Sequence, residues 1–349
     1  MSQVPEPPRP QMRRRAVAVN PAELVSRGPF EPGQPLPLVL RPLADVDLTT
    51  WAAANREPLE QALLEHGALL FRGFSVPTSE VFERLALVFV PRLLDYVEGS
   101  SPRTLLASGI YTSTEYPPDQ FISLHNELSY AHRWPARLFF HCVVAPEGGG
   151  ETPLADCRRI LELLPPALVE RFASRGVRYI RNMHAGQGPG LSWSDVYETD
   201  DRGFVERYCR EGDVDFRWKP DGGLWSSQVR PGIITHPRSG DRVWFNQADQ
   251  WHPSNLGPEL ARAVVSAVRD ELPLDASYGD GTPFAGEDLE LVRDAFRGAM
   301  IRFPWQVGDV LMVDNMRVAH GRMPFTGPRR VLVAMGGTVE LRSVVPPPA

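Results

Sequence analysis

The chain has 349 residues, of which 42% are hydrophobic and 23% charged, a globular composition that permits one large or two small domains. Its formal net charge of −6 argues against a nucleic-acid footprint, which needs a basic surplus. No apolar run reaches the length of a membrane helix, no basic-then-apolar leader opens the chain, and Cys142, Cys157 and Cys209 are widely spaced without a Cys-x-x-Cys pair. These features read as a cytoplasmic protein with reduced thiols, no nucleic-acid partner and no membrane association.

Residues 1–20 are Pro-rich, carry Arg13-Arg14-Arg15 and lack an apolar period, so they read as a flexible arm; residues 21–349 are then one domain. The pattern from Trp51 to Glu65 is helical, and Gly67 ends it before a buried strand over 68–74. Ser79 is a candidate cap for a helix running through Phe82, Leu85 and Val90, and residues 95–120 read as loop. Leu138–Ala145 is apolar on both parities, which places it deep in a sheet. Gly148-Gly149-Gly150 turns the chain into a short strand over 151–156. A helix over 158–174 is restarted by Pro165-Pro166, and Val177–Met183 alternates as a strand.

Residues 184–228 are rich in charge and aromatics and read as a helical insertion. Strands follow at 233–236, 242–246, 300–304 and 309–313, with hairpin chemistry at Ser239-Gly240 and helices at about 257–271 and 286–298. Arg330–Met335 closes the series. Short strands on both sides of helical insertions favour a mainly β, α+β architecture, closed or double-sheeted, over a parallel βαβ sheet.

The candidate chemistry begins in Phe121-Ile-Ser-Leu-His-Asn-Glu-Leu-Ser-Tyr130. On an extended chain His125 and Glu127, two apart, share a face. An imidazole and a carboxylate suit a divalent transition metal, and one further His completes a two-His, one-carboxylate face with open positions opposite. His320 follows the apolar stretch Val310–Val313 on a loop and precedes a glycine, where an imidazole can turn inward. His141, in an apolar strand, reads as a core histidine, and His66 as a cap-region residue. His132 and Trp134 are candidates for shaping a lid.

Arg330 opens the last apolar strand; an arginine stem in a β core is costly without an anion, and its fork matches a carboxylate. Arg329 is the alternative, because neighbours on a strand face opposite ways, and the alternation of Val331, Val333 and Met335 against Leu332 and Ala334 does not separate them. Thr152 can donate a hydrogen bond to the same anion.

His125-x-Glu127, Gly150-Glu-Thr-Pro-Leu-Ala-Asp156, Val313-Asp-Asn-Met-x-x-Ala-His320-Gly-Arg and Arg329-Arg-Val-Leu-Val-Ala-Met335, taken together and in this order, resemble the TauD/TfdA family of iron(II)- and 2-oxoglutarate-dependent dioxygenases over roughly residues 60–340. Asn126, Trp134-Pro-Ala-Arg-Leu-Phe-Phe140 and Trp244-Phe-Asn246 are most similar to the SyrP-type branch, which hydroxylates amino-acid units in secondary metabolism.

The resemblance implies a double-stranded β-helix, a jelly-roll relative, with His125, Glu127 and His320 as iron ligands. It gives Thr152 and Arg330 (or Arg329) to the distal carboxylate of 2-oxoglutarate, and makes O2 the second cosubstrate. Glu127 stands where many relatives have Asp. Ala334 stands four past Arg330, where taurine-type members have a second arginine for the sulfonate. Related halogenases have a small residue at the carboxylate position, so Glu127 implies hydroxylation, with desaturation or cyclisation as the alternative outcome. A non-redox jelly-roll metalloenzyme is a rival that needs no Arg–Thr clamp. Tyr130, Asn246 (with Phe245) and Arg322 are candidate substrate contacts, and the implied partner is a small molecule, free or on an aminoacyl carrier protein.

Overall fold

The computed structural model describes residues 24–99, 103–107, 109–113, 116–256 and 272–344. The expected arm at 1–20 and the expected helix at 257–271 lie outside them. Among the described residues the largest sheet has eight strands, in the order Val25–Pro29, Leu38–Pro42, Ala68–Phe71, Val310–Asp314, Arg133–Val144, Arg330–Glu340, Ile110–Thr112 and Leu105–Ala107. A three-stranded sheet, Ile122–His125, Val318–Arg322 and Leu154–Asp156, lies against it.

The central strands of the large sheet are apolar on both faces because each face has its own core. Leu138, Phe140, Val331 and Val333 point to one cluster with Leu124, Leu154, Val318 and Ala319 of the smaller sheet. Leu69, Phe71, Phe139, Leu332 and Ala334 point to the other, where helices Leu48–Ala54, Arg56–His66 and Ser79–Phe89 pack. The first core, between two sheets, is the interior of a jelly roll and the place where a site can be enclosed.

Local chemistry explains the element ends. Gly67 takes φ 76° and closes the helix Arg56–His66; a Cβ there would stand 2.5 Å from Val318 Cγ2, so the close approach requires glycine. The third helix is capped by Thr78, whose hydroxyl accepts from the Val81 N–H, rather than by Ser79. Asp156 caps the helix Cys157–Leu163, and Pro166 opens the helix Pro166–Arg175 as expected.

Three expectations are corrected. Residues 184–228 contribute two short helices, Trp193–Tyr197 and Arg202–Glu211, but also the strands Asp215–Trp218 and Leu224–Arg230. With Val177–Met183 and Leu274–Tyr278 these strands build a four-stranded sheet in which Leu224, Ser226, Ser227, Gln228 and Arg230 are buried. The supposed loop at 95–120 supplies the last two strands at one edge of the large sheet. The supposed strand at 300–304 is reduced to one bridge, Ile301 to Leu154.

Arg72, at the end of the strand Ala68–Phe71, donates to both carboxylate oxygens of Asp309 at 3.0 and 2.6 Å, and to Pro304 O at 2.7 Å. Both side chains of this pair are buried. Removing one partner leaves an uncompensated charge in the core, so Arg72→Ala lowers the unfolding free energy by about 3–5 kcal/mol, read from urea denaturation.

Candidate active site

Two imidazoles meet because of strand register. His125 ends the strand Ile122–His125 and is the direct cross-strand partner of His320, in the antiparallel strand Val318–Arg322. Leu154 pairs with His320 from the other side, so this histidine sits on the middle strand of its sheet, not on a loop. The two rings are 4.5 Å apart. Gly321 allows the strands to close up, since a Cβ would lie 2.5 Å from the Ile122 carbonyl oxygen.

Glu127 arrives by a different route from the one the i, i+2 spacing suggests. The strand stops at His125, and a turn follows in which Leu128 takes φ 55°. Asn315 fixes that turn: its Oδ1 accepts from the Glu127 N–H at 2.7 Å, and its Nδ2 donates to the carbonyls of Glu127 and Pro135, both at 2.9 Å. Asn126 donates back to Asn315 O at 2.6 Å, and Gln247 donates to Asn126 O at 2.7 Å. All four residues are buried. The carboxylate is thus aimed by an amide lattice and not by strand alternation.

One ligand atom from each of His125, Glu127 and His320 lies within 4.8 Å of the other two, and all three residues are buried. His125 presents Nδ1 to the Ser123 carbonyl at 2.8 Å, which calls for the proton there and leaves the Nε2 lone pair free. Burial lowers the pKa of His125 against the pull of Glu127, and lowers His320 well below its ordinary value with help from His125 and Arg103. Burial pushes Glu127 up, but Arg103 and His125 outweigh it and hold the carboxyl ionised. Two neutral imidazoles and a carboxylate form the donor set that fits a ferrous ion with open positions.

His125 and His320 face a pocket also lined by Arg103, Ser113, Phe140, Thr152, Arg322 and Arg329. A larger cleft of about 730 Å³ opens elsewhere, beside Arg158, Asp241 and Met300, and holds none of the three ligands.

Of the adjacent arginines, Arg329 lines the pocket and Arg330 is exposed on the opposite side, which corrects the preference for Arg330. Val331, Val333 and Met335 belong to the inter-sheet core while Leu332 and Ala334 belong to the helix-side core, so odd positions face the site. Both parities are apolar, and that is why the pattern could not separate them. Arg329 donates through Nε to Gly150 O at 2.9 Å and through Nη1 to Ser113 Oγ at 3.1 Å. Burial and the neighbouring Arg322 lower its pKa to about 10, which leaves it cationic at neutral pH. Thr152 is buried beside it and accepts from Trp305 Nε1 at 3.2 Å.

The candidate substrate contacts fare differently. Tyr130 is fully buried, gives its hydroxyl to Glu98 O at 2.8 Å and packs on Trp251, away from the pocket. Asn246 is a structural residue whose amide donates to Gly232 O at 2.7 Å and accepts from the Ala248 N–H at 3.0 Å. Phe245 and Trp134 pack together in the core, and His132 is buried against Tyr208, so neither His132 nor Trp134 shapes a lid. Arg322 does line the pocket, but its terminal nitrogens hold the carbonyls of Tyr116, Pro117 and Gln120 at 3.0, 2.6 and 3.0 Å, strapping that segment in place. His141 is in the core, its Nδ1 3.2 Å from Asp309 O, as expected.

Sequence reasoning missed Arg103, Ser113 and the buttressing role of Asn315. Asn315 lay inside a quoted motif, and an amide directly after a buried strand is a signal for such a role. Arg103 and Ser113 carry no local signal.

With this geometry in place, the comparisons with known proteins are informative. Residues 31–335 match the model of the taurine catabolism dioxygenase TauD, TfdA family, and the chain belongs to that family of iron(II)- and 2-oxoglutarate-dependent oxygenases. It is 39% identical over 282 residues to the dapdiamide synthesis protein DdaC of Enterobacter agglomerans, covering 80% of this chain and 85% of that one. It is 30% identical over 345 residues to a clavaminate synthase-like protein of Arabidopsis thaliana, covering 95% and 97%. Among solved structures, PvcB of Pseudomonas aeruginosa aligns over 93% of this chain and 94% of its own, with TM-score 0.53 and 18% identity, a likeness of fold. Among the described residues no helix is long and apolar enough to cross a membrane.

Asn315→Ala removes three buried hydrogen bonds that aim Glu127. Such supporting contacts govern metal affinity by about 10–100-fold, so Fe(II) or Co(II) titration of this variant shows a loss in that range.

Proposed function

We propose that His125, Glu127 and His320 hold Fe(II), that Arg329 and Thr152 receive the distal carboxylate of 2-oxoglutarate, and that the enzyme hydroxylates an unactivated C–H bond of an amino acid or amino-acid-derived small molecule. The observation that carries the reading is the convergence of the three ligand atoms within 4.8 Å, with His125 and His320 lining the same pocket as a half-buried, anchored Arg329. A non-redox metalloenzyme does not need such a carboxylate clamp.

The bound metal, with 2-oxoglutarate and O2, supplies the oxidising power and yields succinate and carbon dioxide. The protein's own part is geometric and electrostatic. Nδ1 of His125, tied to Ser123 O, keeps the ring in the ligating tautomer. Arg329, its Nε and Nη1 already fixed, offers an oriented cation to one end of the dicarboxylate. Phe140, Ile122 and Val333 wall the pocket with hydrocarbon and exclude water from the reacting carbon. With Arg329 as the anchor, the position four residues on is Val333, not Ala334; it lines the pocket and is apolar, so a sulfonate held there by a second arginine is not the substrate's handle.

The role in specialised metabolism is supported by the relative named for dapdiamide synthesis and by the fold likeness to an oxygenase from an isonitrile synthetic pathway.

Anaerobic addition of Fe(II) and 2-oxoglutarate to the unaltered protein produces a weak visible charge-transfer band, and His125→Ala and His320→Ala abolish it. Arg329→Ala raises the 2-oxoglutarate concentration needed by about tenfold or more, from loss of charge-assisted hydrogen bonds. Arg330→Ala, a surface change, leaves it nearly unaltered. The reverse ranking of the two arginines overturns the assignment.

A further inference from the structure

Arg103 is a cation at this site whose hydrogen bonding is unfinished among the described residues. Its side chain is 4% exposed, lies against the Tyr96 ring with Cζ 4.1 Å from the centroid, and gives Nη2 to Glu127 Oε2 at 2.6 Å. Its Nε and Nη1 are buried and have no hydrogen-bond partner among the described residues. A guanidinium with buried unpaired donors is costly to maintain, and native proteins complete such groups with a ligand or water. Arg103 lines the pocket that His125, His320 and Arg329 share.

The charges point to an anion. The pocket's lining includes Arg103, Arg322 and Arg329 and no acidic side chain, with Glu127 the carboxylate in contact. A divalent metal and a dianionic cosubstrate cancel one another and leave the surplus positive. Arg322 spends its terminal nitrogens on the loop carbonyls, and Arg329 is anchored to Gly150 and Ser113. Arg103, beside the ligand Glu127, is the cation placed near the metal position itself. Its unpaired N–H groups suit an anionic acceptor such as a carboxylate, and Ile122, Phe140 and Val333 offer the hydrocarbon surface for a short aliphatic body.

Resting on the function proposed above, we infer that Arg103 is the substrate-anchoring residue, and that the substrate presents a free carboxylate to it. This deepens the reading in a discriminating way: a carboxyl group already joined to a carrier as a thioester has no charge to offer Arg103, so the carboxylate is engaged on an untethered molecule or on a side chain.

The test uses propionate and propionamide as probes, with the full-length protein loaded with Co(II) and saturated with 2-oxoglutarate under anaerobic conditions. The unaltered protein broadens the carboxyl 13C signal of propionate through proximity to the paramagnetic ion, and leaves the amide unaffected. Arg103→Gln reduces the propionate effect by about tenfold or more, the loss expected for hydrogen bonds to a charged group. Arg103→Lys keeps a cation facing Glu127 but lacks the fork, so it retains Co(II) and gives an intermediate effect. Equal broadening of acid and amide, or no difference between Arg103→Gln and the unaltered protein, overturns the assignment. A tenfold fall in 2-oxoglutarate affinity in both variants also overturns it, because the guanidinium then serves the cosubstrate. Failure of the unaltered protein to take up Co(II) refutes the metal site itself; uptake without propionate broadening refutes only the role of Arg103.

Discussion

The site rests on one antiparallel pairing, that of His125 with His320. Directly opposed residues in such a ladder bring their side chains within contact, so two imidazoles 195 positions apart become neighbours without any loop having to be ordered for the purpose. Gly321 lets the two backbones approach, and Leu154 on the third strand holds the register from behind. The remaining parts of the chain either lock that pairing or bring a third group to it.

The third group needs a separate device, because the strand ends at His125. Asn315, on the turn after the buried strand Val310–Asp314, grips both backbone groups of Glu127, while Asn126 and Gln247 extend the lattice toward the helix Ala248–Trp251. The metal-binding geometry is therefore spread over the large sheet, the small sheet and the helix beside the four-stranded sheet. Each contributes one rigid element, and burial of all three ligands keeps the imidazoles neutral and receptive.

What was legible in the sequence follows from these causes. His125, Glu127 and His320 could be found because several motifs in fixed order carry them, although the reason offered for Glu127, a shared strand face, was the wrong one. Leu138–Val144 and Val310–Val313 read clearly as buried strands, since His141 is the one polar residue in either. The choice between Arg329 and Arg330 was hidden because both faces of the last strand are covered, so hydrophobic alternation has no meaning there. The strands in 184–228 were hidden for a related reason: Ser226, Ser227, Gln228 and Arg230 are buried through polar partners, such as Gln228 with Glu98 and Tyr130, and a buried polar strand looks like a surface segment. Arg103 lacks any local mark, because its place depends on Tyr96 and Glu127 folding around it.

The doubly covered strand has a consequence for how this protein tolerates insertions. The connection from Met323 to Pro328 sets which of two neighbouring guanidiniums enters the chamber. Adding or deleting a single residue there exchanges Val331 and Val333 with Leu332 and Ala334, and both sets are aliphatic, so the hydrophobic layers can re-form at modest cost. The loss falls on chemistry instead: a chain of altered loop length can still fold and still gather its histidines, yet it turns Arg329, set by Gly150 and Ser113, out of the pocket and brings Arg330 toward it in a different position. In this scaffold the spacing of that short connection is under functional constraint that no measure of folding stability reveals.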